Sequence, residues 1–361
     1  MELELTDEQR WLADSVEQVV TKTSPELTWS ALVDFGALDI ASGTEGLGAV
    51  ELALVGRALG EAMVVVPFVD TAAARYATRA SAADHPAFAE RLSAEQAVAL
   101  CLLEPGAGWE LARSATTVRQ RQVTGSIVEG RKVAVHHAAA AGALLVLCTD
   151  GEDRRLALID ADAGGVTIMP TPEASIDGAL HVSAVRFDGA VVADERTLSA
   201  DASEVVLARL LAIGGILAAS EAVGAAAALM TLACDYAGQR RQFGRTIGSF
   251  QALRHLLADM HVKQTSAWST VLYAAAALED DIEDALRTAS IAKAYASRVT
   301  LEVAHGALQV FGGIAFTAEH PAHLYLRRIL VRGGQFGDAR HHERVIGREL
   351  AAQALQEELV R

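Results

Sequence analysis

Hydrophobic spacing divides the chain into three stretches. From Leu5 to about Ser93 the apolar residues recur at helical intervals. Thr6-Asp7-Glu8-Gln9 reads as a polar helix cap, and Trp11, Leu12, Val16, Val19 and Val20 follow as an apolar stripe. A glycine-rich segment, 36–48, interrupts the pattern, and 51–61 resumes it. Between about Ala97 and Val192 short β-branched runs appear at 116–118, 123–128, 132–135, 144–148, 156–159, 166–169 and 182–187. Gly, Asp and Pro separate them at roughly ten-residue intervals, which predicts a small antiparallel sandwich or barrel. From Ser203 to Arg361 long helical segments return, interrupted by Gly214-Gly215, Gly312-Gly313 and Gly333-Gly334. The expected fold is mainly α with a middle β domain: a helical domain over 1–96, a β domain over 97–200 and a helical domain over 201–361. The sequence shows no internal repeat and no low-complexity tract.

Composition and charge narrow the function. The chain has 361 residues, 51% of them apolar and 21% charged, a composition that excludes intrinsic disorder. Its 31 Lys and Arg against 46 Asp and Glu leave a net charge of −15. That balance argues against nucleic acid or an anionic membrane as partner, because each phosphate contact needs a cation. Cys101, Cys148 and Cys234 form no C-x-x-C pair, so neither a disulfide framework nor a zinc site is expected, and a reducing cytosol suits them. The N-terminus lacks a basic start followed by an apolar core, so no signal peptide is expected. The longest apolar runs, 138–148 and 210–220, fall short of the roughly 18–20 residues that cross a bilayer. A soluble, cytoplasmic protein is the expectation.

Several residues carry candidate chemistry. Arg240-Arg241-Gln242-Phe243-Gly244 closes a long helix and precedes Phe250-Gln251. Guanidinium groups beside a glycine turn suit a phosphate or pyrophosphate, although an Arg pair also complements a helix C-terminus without any ligand. Gln309-Val310-Phe311-Gly312-Gly313 ends another helix, where paired glycines serve either close ligand approach or a C-cap. Glu104-Pro105-Gly106-Ala107-Gly108 reads as a turn. His136-His137, on a β run, point to opposite faces, and His341-His342 lack a third ligand, so no metal site is expected.

Together and in order, these pieces resemble the acyl-CoA dehydrogenase family. Four runs carry the resemblance: 103–108 (Leu-Glu-Pro-Gly-Ala-Gly), 235–251, Ala258-Asp259-Met260, and 309–317. The helix–sheet–helix order agrees with that family's fold, an N-terminal helical domain, a β domain and a C-terminal four-helix bundle. The resemblance implies FAD, an acyl-CoA thioester and α,β-desaturation, in which a Glu takes the α-proton while the flavin takes the β-hydride. It also implies that Arg240, Phe243, Phe250, Gln251, Gln309, Phe311, Gly312 and Gly313 contact the cofactor.

The departures from the family pattern are themselves ordered. The usual base position near the end of the chain corresponds to Phe336, in Gln335-Phe336-Gly337-Asp338, and the alternative position on the first long C-terminal helix corresponds to Gly214. Neither residue can abstract a proton; Glu221 and Asp338 are the nearest weak candidates. The Arg expected after the second position is Gly215. Where the family places a Trp over the flavin ring and a Thr bonded to it, this chain has Ala134 and His136, and Trp109-Glu110 replace a Ser-Asp pair. In family tetramers the ring and the Glu belong to one chain, while the neighbour supplies the Arg-x-x-Phe-Gly and Gln-x-x-Gly-Gly contacts. Here the neighbour-donated half is intact and the half that serves a chain's own ring is eroded. The segment 320–328, with 336–338 after it, further resembles the smaller subunits of α2β2 acyl-CoA dehydrogenases of bacterial sterol side-chain breakdown. The expectation is a subunit that completes the flavin site of a homologous, Glu-bearing catalytic partner in an α2β2 heterotetramer, with an electron acceptor the sequence does not identify. A self-sufficient homo-oligomer with a displaced base, and a catalytically silent scaffold, stay open.

Overall fold

The computed structural model describes residues 4–24, 27–43, 46–94, 97–111, 114–121, 125–280 and 284–360. The expected helix–sheet–helix order is present: six helices, then seven paired strands, then five helices among the described residues. The helices also assemble into two compact units that interleave along the chain, 1–22, 49–64 and 215–361 in one, 23–48 and 65–214 in the other.

The first unit is helical. It contains α1 (Asp7–Lys22), α4 (Ala49–Glu61), most of α7 (Ala200–Gln239), α8 (Gln251–Glu279), α9 (Ala285–Phe311), α10 (Ala322–Gly334) and α11 (Ala339–Val360). The cap expected at Thr6–Gln9 is a reciprocal box. The Gln9 N–H donates to Thr6 Oγ1 at 3.2 Å, and the Thr6 N–H donates to Gln9 Oε1 at 3.0 Å. Leu12, Val16 and Val20 are buried on one face of α1, whereas Trp11 lies outside that stripe and is exposed.

Helix α7 is apolar on nearly every face and long enough to span a bilayer, yet most of it is buried against protein, as a core helix requires. It meets α4 with almost nothing between the backbones. A Cβ on Gly224 would lie 2.0 Å from the Arg57 carbonyl oxygen, and one on Gly60 would lie 2.0 Å from that of Glu221. Gly56 faces Ser220 in the same seam. Small residues four apart on both helices make one narrow face each, and this allows the close crossing.

The second unit contains α2 (Thr28–Asp34), α3 (Ala37–Ser42), α5 (Phe68–Thr78), α6 (Pro86–Ala94) and the strands. The strands are β1 (Val98–Cys101), β2 (Thr117–Gln120), β3 (Ser126–His136), β4 (Ala143–Asp150), β5 (Asp153–Asp160), β6 (Val166–Pro170) and β7 (Val182–Val192). They form one seven-stranded sheet. The purely antiparallel expectation needs correction, because β1 and β2 both run parallel to β4, at 98–101 against 143–146 and at Thr117 against Thr149. Strand β5 pairs antiparallel with β4 along its whole length.

The two runs expected at 123–128 and 132–135 are one strand, β3, although Val123 and Thr124 lie outside the described residues. Its register against β7 shifts near Glu129 and again between Lys132 and Val135, where Ala134 takes φ +52°. The interruption that reads as a turn in the sequence is therefore a bulge. Strand β1 lies outside the β-branched runs because all four of its residues are buried and show no alternation.

The close crossing gives a direct test. Gly224→Ala should destabilise the chain by about 3 kcal/mol or more, since the methyl group meets backbone that cannot move alone. Gly238→Ala in the same helix, with open space around it, should be neutral or gain up to about 1 kcal/mol. Urea unfolding of the two variants separates the effects.

Candidate functional site

The residues that resemble the donated half of a flavin site lie at one end of the helical unit. Helix α7 ends at Gln239, and the chain turns through a short hairpin, β8 (Arg241–Gln242) and β9 (Arg245–Thr246). Its two central residues, Phe243 and Gly244, have φ of +50° and +76°, the conformation of a type I′ turn. Glycine takes that backbone freely, but phenylalanine takes it at a cost on the order of 1 kcal/mol. The strained ring is 91% exposed. Behind it Phe250 packs edge-on at 6.1 Å, with the Arg245 guanidinium 4.1 Å above the Phe250 ring. The Ile247 N–H donates to the Arg240 carbonyl at 2.8 Å, which fixes the hairpin to the end of α7 and places Gln251 at the start of α8.

The end of α9 joins this cluster through Tyr236 and Phe311, whose rings meet at 5.5 Å. Phe311 is buried in the helical core and also lies 4.4 Å from the His320 ring. Its side chain thus packs in the core: two positions after Gln309, it falls on nearly the opposite helix face. Gln309 itself is exposed. Gly312 has φ +67°, and a Cβ on either Gly312 or Gly313 would meet nothing within 4 Å. The side chains of Arg240, Gln251 and Gln309 are exposed and make no hydrogen bond or ion pair with other described residues. Polar groups left open around two bare glycines and a projecting aromatic ring fit a large polyanionic ligand approaching from outside the chain.

The positions where a base would be sought are occupied differently. Phe336 is 2% exposed and holds φ +59°, and the His342 Nε2–H donates to its carbonyl at 3.0 Å. Gly214 is buried within α7. Asp338 is exposed, and its Oδ1 accepts the His341 N–H at 2.8 Å as the cap of α11. Glu221, the other candidate, is 2% exposed and accepts from Arg328 at 3.0 Å and from Arg332 at 2.9 Å. Arg328 also donates to the Val64 carbonyl at 3.0 Å. The two weak candidates are thus each engaged in a structural bond, Glu221 in an ion pair and Asp338 in a helix cap.

Sequence reasoning missed these buried cations. Lys293 is fully buried and donates to Ser297 Oγ and to the carbonyls of Arg332 and Gly333, at 2.8–2.9 Å. Burial pushes its pKa down to about 7, against the pull of Asp338, and it fastens the chain just before Phe336. Nothing in the local pattern marks Lys293, Arg328 or Arg332 as buried, because each also bonds a group from a distant segment.

In the second unit, Ala134 is exposed at the β3 bulge, His136 is buried and Trp109 is half-buried. The Glu104 turn is structural. Its carboxylate accepts from Lys132 Nζ at 2.8 Å, from Ser114 and Thr116 hydroxyls, and from the N–H groups of Ala115 and Thr116. Burial alone would raise the Glu104 pKa; the bonds outweigh it and lower the value to about 2.

Residues 204–351 match the acyl-CoA dehydrogenase C-terminal domain family. The chain is 32% identical to benzylmalonyl-CoA dehydrogenase of Aromatoleum aromaticum over 254 residues, 68% of this chain and 67% of that protein. It is 30% identical to the acyl-CoA dehydrogenase IpdE2 of Mycolicibacterium smegmatis over 264 residues, 66% of this chain and 80% of that one. The chain belongs to the acyl-CoA dehydrogenase family. It is therefore an oxidoreductase of that family, and its mainly helical architecture with a central sheet is the family fold. The ChsE4–ChsE5 complex of Mycobacterium tuberculosis shares that fold with a TM-score of 0.81 at 24% identity, over 97% of this chain and 99% of that one.

The Glu221 cluster has a measurable consequence. Removing one partner of a buried pair leaves an uncompensated charge, so Glu221→Gln should cost about 3 kcal/mol or more in urea unfolding. Glu302→Gln, which breaks the exposed Lys263–Glu302 pair, should change the midpoint little.

Proposed function

We propose that this chain is a subunit of an FAD-dependent acyl-CoA dehydrogenase and completes a flavin site whose catalytic Glu comes from a homologous partner chain. The observation that carries the reading is the contrast between its two halves. Arg240, Gln251 and Gln309 are exposed and make no bond with other described residues, and Gly312 and Gly313 leave open space, while the positions that the resemblance gives to a base hold Phe336 and Gly214. FAD, the cofactor of this family, supplies the hydride acceptor when bound. Arg240 would hold the pyrophosphate through its guanidinium fork, and Gln251 and Gln309 would bond the polar groups beside it. Phe243, projecting from its strained turn, offers a flat apolar face to the adenine.

Desaturation also needs a carboxylate within about 3 Å of the α-proton, or one water away. Glu221 is held by two guanidinium groups that occupy both its oxygens, and Asp338 caps a helix. The base is therefore assigned to the partner. A heteromeric arrangement agrees with the likeness to a two-protein complex, and α2β2 is the stoichiometry that the resemblance of segment 320–328 implies. The same resemblance makes a steroid-derived acyl-CoA the proposed substrate. A homo-oligomer would need a base from Glu221 or Asp338, and both are engaged.

Arg240→Ala should weaken FAD binding in the complex by about ten- to a hundredfold, the worth of one charge-assisted contact. Arg240→Lys should restore only part of the loss, because an ammonium cannot reproduce the fork. The expected result is lower flavin occupancy with little change in melting temperature. Full occupancy with lowered stability would reduce Arg240 to a helix-end charge and remove the support for a shared site.

A further inference from the structure

We propose that a second site, the cleft walled by α4, α7, α8 and α10 in the helical unit, binds a small monocarboxylate with an apolar body. The cleft encloses about 460 Å³, within the range of small-molecule sites, and uses none of the residues assigned to the flavin. Its lining combines apolar side chains, among them Ala227, Met230 and Leu232, with the polar groups of Arg57, Glu61, Gln264 and Tyr325.

Gln264 carries most weight. It is only 6% exposed, it lines the cleft, and its amide makes no hydrogen bond with other described residues. The body of the residue is packed, yet its amide oxygen and nitrogen are not among the buried atoms, so one acceptor and one donor group stay open to a ligand in the cleft. Tyr325 repeats the pattern. Its ring is half-buried, its hydroxyl makes no hydrogen bond with described residues, and burial raises its pKa, so it remains a donor at neutral pH.

Arg57 is held ready on two sides. Its Nε donates to Glu61 Oε1 at 2.8 Å, and its guanidinium carbon sits 4.8 Å from the Trp268 ring centre. The two terminal nitrogens make no bond with described residues and are the donors a carboxylate accepts most readily. Glu61 already offsets part of the Arg57 charge, so a dianion such as phosphate would be poorly matched. A neutral carbonyl would forgo the charge-assisted bonds. One negative charge on an apolar body matches donors and apolar lining together.

Isothermal titration of the full-length chain with cyclohexanecarboxylate, and with cyclohexanecarboxamide as the uncharged counterpart, tests the assignment. Saturable binding of the acid is expected, with the amide at least about tenfold weaker. Tyr325→Phe and Gln264→Leu should each weaken the acid by about fivefold or more, for the loss of one hydrogen bond. Tyr325→Phe removes a single oxygen, so it carries the test if Gln264→Leu fails to fold. Absence of saturable binding, an amide that binds as well as the acid, or folded variants that bind like the parent would overturn the proposal.

Discussion

A single buried carboxylate, Glu221, ties the helical unit together. It lies where α7 crosses α4 with bare backbone contact at Gly60 and Gly224, and it binds Arg328 and Arg332 from α10. Arg328 in turn reaches the Val64 carbonyl just beyond α4. Three segments far apart in sequence are thus fixed at one point by charge that no water screens, in a place where any loss leaves a cation stranded. The position of α10 follows from this lock. With the three bonds of Lys293 to Ser297 and to the end of α10, it determines how the chain enters the turn at Phe336. Glu221, one of the two candidate carboxylates, is therefore the one the fold can least release for proton transfer.

The opposite condition holds at the far end of α7. There Arg240, Gln251 and Gln309 are exposed and make no bond with other described residues, glycines leave open space, and Phe243 is held at positive φ with its ring in solvent. Strain of this kind persists where the surroundings over-determine the backbone, and here a two-residue hairpin backed by Phe250 and Arg245 does so. One region is locked internally and the other is open to a ligand. That division matches a chain that contributes binding groups and leaves the proton transfer to a partner.

Much of this was legible in the sequence wherever the signal is local. The Thr6–Gln9 cap, the end of α7 before Arg240 and the glycines after α9 all follow from short-range chemistry. What stayed hidden depends on distant residues. The parallel pairing of β1 and β2 with β4 has no local signature, and β1 is too uniformly buried to alternate. The break between 128 and 132 looks like a turn because a bulge also relaxes the pattern. Gln309 and Phe311 are two positions apart, and the helical period turns the first outward and the second inward. Glu221 reads as a free acid until two arginines more than a hundred positions later close on it.

The most direct test of the account is the flavin content of this chain expressed alone and then together with the homologous catalytic partner proposed for it. If the chain donates only the outer half of a shared site, with Ala134 and His136 in place of the ring-stacking and ring-bonding groups, the lone protein should carry well under one FAD per chain. Flavin should then appear on co-expression. A lone chain that retains one FAD and desaturates an acyl-CoA would contradict the account.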